Sequence, residues 1–258
     1  LIGCPGRIND MLLRKYLHKE KIKTIIIDEA DEMFSSGFKE QIYNIFQKLP
    51  TTVQVALFSA TLPNEIHNLT NRFMRKPQEI LVKNDQLTLE GIEQYFVNLN
   101  DDSDKFETLK DLFTNISVSQ CIIYCNSINR VNDLYESMIN DKFPVCKIHS
   151  NMGKEERSES YKSFIRGEYR VLISSNITAR GIDIQQVSTV VNFDIPNDVH
   201  TYLHTDVHTD VCTYVCVMCY LCHQWILTSL CNMNYLWGCC TMQYDTQLRS
   251  VTKNRCCS

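Results

Sequence analysis

The chain has 258 residues, with 26 Lys and Arg against 30 Asp and Glu, for a formal charge of −4. That length allows two modest α/β domains, and the charge excludes a global basic field for nucleic acid, so any RNA contact must come from a local groove. Four of the 13 cysteines are scattered through residues 1–204, as small hydrophobes in a reducing cytosol or nucleus would be, and nine crowd residues 205–258.

No secretory signal opens the chain, which begins inside a strand-and-turn motif. Up to about Lys83, strand and helix patterns alternate: Ile22–Asp28, Glu40–Lys48, Val53–Phe58, Asn64–Arg72 and Glu79–Val82. Residues 84–91 are polar and turn-like and read as a linker. A second alternation then runs through strand Ile92–Leu99, helix Asp104–Phe113, strand Gln120–Tyr124 and helix Ile128–Asn140. Strand Pro144–Ile148, helix Lys154–Arg166, strand Arg170–Ser174 and strand Thr189–Phe193 follow. Short apolar strands between helical patterns predict parallel α/β units, here in two halves.

The run Thr24-Ile25-Ile26-Ile27-Asp28-Glu29-Ala30-Asp31 predicts a buried strand that delivers three acids near its carboxyl end, where open α/β sheets bind ligands. Such acids suit phosphoryl chemistry. Asp28 would hold a magnesium ion through water, because that cation keeps much of its hydration shell. Glu29 would orient or deprotonate an attacking water. An acidic turn after a buried strand is the plain alternative.

Asp28-Glu29-Ala30-Asp31 is the box that names the DEAD-box RNA helicases. Residues Ile2 to Met33 resemble the initiation factor 4A branch of that family. So do Gly37-Phe38-Lys39-Glu40-Gln41-Ile42-Tyr43, Ser59-Ala60-Thr61-Leu62-Pro63, Leu87-Thr88-Leu89-Glu90-Gly91-Ile92 and Ala179-Arg180-Gly181-Ile182-Asp183. Residues 60–63 and 70–74 are similar to the exon-junction relative. The resemblance implies two RecA-like parallel-sheet lobes, the first truncated at its N-terminus and the second near its end. It divides the chain into a partial first lobe at 1–83, a linker at 84–91, a second lobe at 92–204 and a tail at 205–258.

It also implies an ATP-dependent RNA helicase that uses ATP and Mg2+ on single-stranded or short duplex RNA. Translation-initiation or exon-junction proteins would be its partners, in the cytoplasm or nucleus and with no membrane. Asp28 and Glu29 match the magnesium acid and the catalytic base. Asp31 matches the acid that couples to the motif containing Ser59 and Thr61. Asp183 would approach the ATP ribose, with Arg180 and Gly181 shaping the nearby loop. Pro5, Gly6 and Arg7 match the first-lobe RNA turn, where a helix start offers free amides and Arg7 adds charge. Cys4 stands where the family usually has threonine. Asn126, Ser127, Arg157 and Ser175 match second-lobe RNA contacts, although Asn126 and Ser127 also suit a helix cap and Arg157 a solvated face. Asn176 replaces the usual aspartate.

Two parts of the family pattern do not occur. No Gly-x-x-x-x-Gly-Lys-Thr phosphate loop is found, and Tyr202-Leu203-His204 runs into Thr205 rather than into the finger arginines. The chain therefore reads as a central helicase fragment that is catalytically incomplete as it stands. A non-catalytic RNA- or protein-binding module, and a non-functional product of a mis-spliced or wrongly delimited gene, are the competing readings. From His200 near-repeats of four residues begin, and Val211 to Tyr244 contains no Asp, Glu, Lys or Arg. Residues 205–258 accordingly read as a foreign, disordered or artefactual tail. Cys212, Cys216, Cys219, Cys222 and His223 offer a weaker zinc or iron–sulfur reading, and the uncharged run a weaker membrane-spanning one.

Overall fold

The computed structural model of the chain describes residues 1–35, 37–59, 70, 72–81, 93–99, 101–115, 118–175, 184, 186–197, 201–202, 205, 214–220, 240–245 and 250–255. It divides into two compact units, Leu1–Leu81 and Val82–Ser258.

In the first unit, α1 (Pro5–Leu13) leads through a 3-10 turn (Lys19–Lys21) to β1 (Thr24–Ile27). Then come α2 (Ala30–Ser35), α3 (Lys39–Lys48) and β2 (Gln54–Leu57). β1 and β2 are parallel neighbours, with Ile25 opposite Val55 and Ile27 opposite Leu57. Alternation along each strand sends these four residues to one face. There Ile25 and Val55 pack with Leu12, Ile45, Leu49 and Val53. Ile27 and Leu57 pack with Ala30, Phe34 and Ile42. Ile26, pointing the other way, is 64% exposed. Parallel sheets are ordinarily covered on both faces, so this face is bare among the described residues.

One expected strand is corrected. Glu79, Ile80 and Leu81 form no strand, and Ile80 is 90% exposed. β1 and β2 pair only with each other among the described residues, and apolar alternation alone does not make a strand of a segment that takes neither open edge. Thr70 and Arg72 are the described residues of the expected helix 64–72. The linker 84–91 lies outside the described residues.

The second unit runs β3 (Glu93–Leu99), α4 (Asp104–Asn115), β4 (Gln120–Cys125), α5 (Ile128–Asn140), β5 (Val145–Ile148) and α6 (Lys154–Ile165). It continues through β6 (Val171–Ser175), β7 (Val187–Asn192), β8 (Tyr214–Tyr220), β9 (Cys240–Asp245) and β10 (Ser250–Arg255). The sheet order is β10-β9-β3-β8-β7-β4-β6-β5. Among the described strands only the β9–β10 pair is antiparallel. Every residue of β4 is buried, as expected of an apolar run deep in a parallel sheet. Cys121, Ile123 and Cys125 face Leu109 and Leu112 of α4 and Val131, Leu134 and Met138 of α5. Ile122 and Tyr124 face the other way, toward Phe164 of α6. Burial pushes the Cys125 thiol upward and that of Cys146 up to about 12, so both behave as small hydrophobes.

Within the tail, read from the sequence as foreign, disordered or artefactual, β8, β9 and β10 are described. The backbone of β8 lies between β3 and β7, with Glu93 opposite Tyr214 and Thr189 also opposite Tyr214. A run such as Tyr214-Val-Cys-Val-Met-Cys-Tyr220 has the β-propensity and unbroken apolarity of a strand buried on both faces. The side chains of the weaker zinc or iron–sulfur reading lie outside the described residues. Among the described residues no helix is long and apolar enough to cross a membrane.

At the carboxyl end of β7, Asp194 is the hub of an ion network. Its carboxylate receives Lys105 Nζ at 2.9 Å and Arg130 Nη2 at 2.6 Å, and both cations also pair with Asp102. The side chains of Lys105 and Asp194 are only 7% and 11% exposed. The same two cations lie 5.5 and 5.3 Å from the centre of the Phe193 ring. Burial alone would raise the Asp194 pKa, but bonds from Arg130 and Lys105 outweigh it and hold the carboxyl below its usual value. Arg130 above all lowers Asp102 from 3.8 to about 2. Removing one partner of a buried pair strands the other charge, at a cost of about 3–5 kcal/mol. Asp194→Ala should lose stability on that scale in urea unfolding. Asp102→Ala, at a side chain 48% exposed, should lose about 0–1 kcal/mol. Both acids are depressed in the folded state, so each stabilises above its unfolded value and loses that contribution as pH falls; for Asp102 the loss runs from about pH 4 toward 2. Urea midpoints of the parent and of Asp102→Asn should therefore converge across that range.

Candidate catalytic and RNA-contacting sites

The acidic box sits where β1 ends. Phe58 N–H donates to the Ile27 carbonyl at 2.8 Å, and Ala30 N–H donates to the Phe58 carbonyl at 3.0 Å. These bonds stitch the turn after β1 to the end of β2. Within the turn, Glu29 N–H donates to Asp28 Oδ1 at 3.0 Å. Glu29 itself has a φ of 50°, the left-handed region that a residue with a Cβ enters only when its surroundings enforce it. Asp28 is exposed and Glu29 partly so, while Ala30 and Asp31 are buried.

Asp31 N–H donates to Ser59 Oγ at 3.2 Å, across 28 positions of sequence. The acidic box and the Ser-Ala-Thr motif therefore meet, with a main-chain donor on the box side. Thr61 lies outside the described residues. So do Arg180, Gly181 and Asp183, the whole ATP-ribose set.

Pro5 opens α1 after Cys4, whose side chain makes no capping bond. Gly6 has open space where a Cβ would stand, and Arg7 is exposed, meeting Asp10 at 3.5 Å. The helix start is thus accessible, as a phosphate contact would need.

In the second unit, Asn126 and Ser127 follow β4, Ser175 ends β6, and Arg157 lies on α6 beyond β5. β4, β6 and β5 are adjacent and parallel, with Cys125 opposite Ser175 and Ile148 opposite Ser174. The fold brings all four residues to the carboxyl side of one sheet. Ser127 Oγ accepts from Arg130 N–H at 3.3 Å, so it caps α5. Asn126 N–H donates to Asp194 Oδ2 at 3.1 Å, and its side-chain Nδ2 donates to the Ile195 carbonyl at 2.6 Å. Asn126 therefore ties the loop after β4 to the loop after β7. Arg157 is half-buried near the start of α6.

The residue that sequence reasoning passed over is Asp194. Its signal was the one used for Asp28, an aspartate ending a buried strand, here Val190-Val191-Asn192-Phe193-Asp194. Thr205, where the sequence leaves the family's arginine-containing run, is fully buried; its Oγ1 donates to the Tyr202 carbonyl at 2.7 Å and accepts from Asn192 Nδ2 at 3.2 Å.

Comparison with known proteins agrees with this geometry. Residues 1–69 match the DEAD/DEAH box helicase model and residues 104–206 the helicase conserved C-terminal domain model, together more than half of the chain. The ATP-dependent RNA helicase eIF4A of Saccharomyces cerevisiae (strain YJM789) is 50% identical over 202 residues, which cover 78% of this chain and 51% of that protein. Eukaryotic initiation factor 4A of Caenorhabditis elegans is 48% identical over 202 residues, covering 78% and 50%. The chain spans about half the length of these curated relatives. Among solved structures, S. cerevisiae Dbp5 bound to RNA and ADP BeF3 superposes with a TM-score of 0.86 at 25% identity, over 96% of this chain and 67% of that one. A DEAD box protein from the hyperthermophile Methanococcus jannaschii gives a TM-score of 0.55 at 26% identity, over 95% and 66%. The acidic turn tied to a serine after the next parallel strand, two α/β units and both family models lead to one conclusion: this chain belongs to the DEAD-box family of ATP-dependent RNA helicases and resembles its initiation factor 4A members.

Proposed function

We propose that this chain is the central part of an ATP-dependent RNA helicase of the initiation factor 4A type, which couples ATP hydrolysis to RNA binding and local duplex unwinding. The observation that carries the reading is the Asp28–Asp31 turn, bonded through Ala30 N–H to the end of β2 and through Asp31 N–H to Ser59. Asp28 is exposed, and one of its oxygens accepts the Glu29 N–H. A hard, hydrated cation suits such a carboxylate. Held there through water, magnesium would supply positive charge to the nucleotide phosphates.

Glu29 has the protein's part of the proton transfer. Its carboxylate orients the attacking water and takes the water's proton as oxygen approaches the γ-phosphorus of ATP. The left-handed backbone fixes that carboxylate relative to Asp28. The Asp31–Ser59 bond gives the nucleotide site a route to the segment after β2, so a change at one is felt at the other. Thr61 belongs to that segment, and Arg180, Gly181 and Asp183 complete the ATP side.

RNA, single-stranded or a short duplex, would lie along Pro5, Gly6 and Arg7 of the first unit and Asn126, Ser127, Arg157 and Ser175 of the second. Ser127 caps its helix through a lone pair, which leaves its O–H to donate to a phosphate. Translation-initiation or exon-junction proteins are the partners that fit, in cytoplasm or nucleus. The division at 83/84 and 91/92, and the assignment of 205–258 as a foreign tail, belong to the same proposal.

The 258-residue polypeptide by itself should show no RNA-stimulated ATP turnover, since its sequence holds neither the phosphate loop nor the family's arginine run, which includes the finger whose loss costs about 10³–10⁵ in rate. ATP turnover measured with and without single-stranded RNA checks this; turnover abolished by Glu29→Gln would sink it.

A chimera carrying a family phosphate-loop segment upstream, and a family ending in place of 205–258, should be an RNA-stimulated ATPase. Glu29→Gln in that chimera should lower kcat by about 10²–10⁴ without weakening RNA binding. A folded chimera with no turnover would instead favour a non-catalytic RNA- or protein-binding module.

A further inference from the structure

The charge of this chain is negative overall, yet residues 14–23 read Arg-Lys-Tyr-Leu-His-Lys-Glu-Lys-Ile-Lys, five basic side chains against the single acid Glu20. The fold presents them rigidly. α1 stops at Leu13, Lys15 takes a φ of 59°, and Tyr16 and Leu17 N–H both return to the Met11 carbonyl. Leu17 and Ile22 turn inward, against the cluster of Leu12, Ile45, Leu49 and Val53. Lys15, Tyr16, Lys19, Lys21 and Lys23 are thereby left on the outside, all exposed. None of these four lysines has an ion-pair partner among the described residues. Tyr16 is 71% exposed, a large ring offered to solvent between cations.

The patch is continuous with the helix start described above. Arg7 and Arg14 both reach Asp10, at 3.5 and 2.7 Å, so the two arginines share one face of α1. At 1.5 Å per residue they stand about 10 Å apart along the axis. Arg7, Arg14 and the lysines that follow therefore form a strip from the first turn of α1 to the start of β1.

We infer that this strip is an accessory site for the phosphate backbone of single-stranded RNA, with Tyr16 stacking on one base. It extends the contact at Pro5-Gly6-Arg7 to the far end of α1, and it rests on the RNA reading of that turn. Exposed cations, four of them lysines without an ion-pair partner among the described residues, with an aromatic face among them are the combination that binds single strands without sequence preference. Phosphates neutralised this way release counterions, which makes the contribution readable in the salt dependence.

The test uses the whole chain and oligouridylates of about six and about fifteen nucleotides, spanning the range of single-strand site sizes, with affinities measured by anisotropy between about 50 and 200 mM salt. The parent should prefer the longer strand. The triple variant Lys19→Gln, Lys21→Gln, Lys23→Gln should lose that preference, and its log–log salt slope on the longer strand should fall by about 2, near 0.7 for each phosphate no longer neutralised. Tyr16→Ala should weaken the longer strand roughly tenfold while Tyr16→Phe does not. A triple variant with the parent's slope and affinity overturns the inference and leaves the turn reading standing. A parent that binds neither strand removes the RNA reading itself. Loss in the triple variant with Arg7→Ala unchanged would detach the lysines from the turn and overturn the inference that they extend its contact.

Discussion

The parallel pairing of β1 with β2 turns the acidic box into a site. Without β2, Asp28 to Asp31 would be a charged loop free to sample many conformations. With it, the Phe58 main chain takes a bond from Ala30 N–H and gives one to the Ile27 carbonyl, and Ser59 lands under the Asp31 amide. Ile25, Ile27, Val55 and Leu57 keep that pair in register by burying one face. The apolar packing and the polar turn depend on each other. A one-residue slip of β2 would turn Val55 and Leu57 out to solvent and move Ser59 off its donor together. The left-handed Glu29 follows from the same arrangement. A residue held in sparsely populated backbone space costs of order 1–3 kcal/mol and persists only where its neighbours over-determine it.

The second unit solves a similar problem with charge. Its sheet ends in loops that must keep a fixed shape at a solvent-facing edge. Asp194 does this by accepting from Asn126 N–H, Arg130 and Lys105 at once, joining α4, the loop after β4 and the end of β7. Phe193 beneath the two cations gives them an aromatic face as well as a counter-charge. Asn126 contributes through its main chain and through its side-chain amide, which donates to the Ile195 carbonyl and to Asn197 Oδ1 from a short stem.

How far the sequence could be read depended on whether the signal was local. Helix Ile128–Asn140 has the bounds its pattern predicted, because Ser127 caps one end and an apolar face runs its length. The acidic box and its serine were readable as motifs. That the Asp31 amide donates to Ser59 was not readable, since main-chain direction is set by the pairing with β2. The Asp194 network joins residues 89 and 64 positions apart, a separation no periodicity reports. Glu79–Val82 misled because apolar alternation shows only that a segment is able to pair. In the tail, the repeats and cysteines drew the reading toward a foreign origin, while Tyr214–Tyr220 had the composition of an interior strand throughout.

The place of β8 has a temporal consequence. Among the described strands β3 is joined to β7 and those beyond it through β8, and its other neighbour, β9, comes later still. Glu93 must wait for Tyr214, about 120 residues downstream. At ordinary rates of synthesis that is roughly 6–24 s during which an apolar strand has left the ribosome with both edges open. The α4–β4–α5–β5–α6–β6–β7 core has time to assemble in that interval, and β3 then joins a body already formed. A nascent chain of this protein is therefore most exposed to chaperones and to wrong pairing through β3, and that exposure ends only when the C-terminal strands emerge.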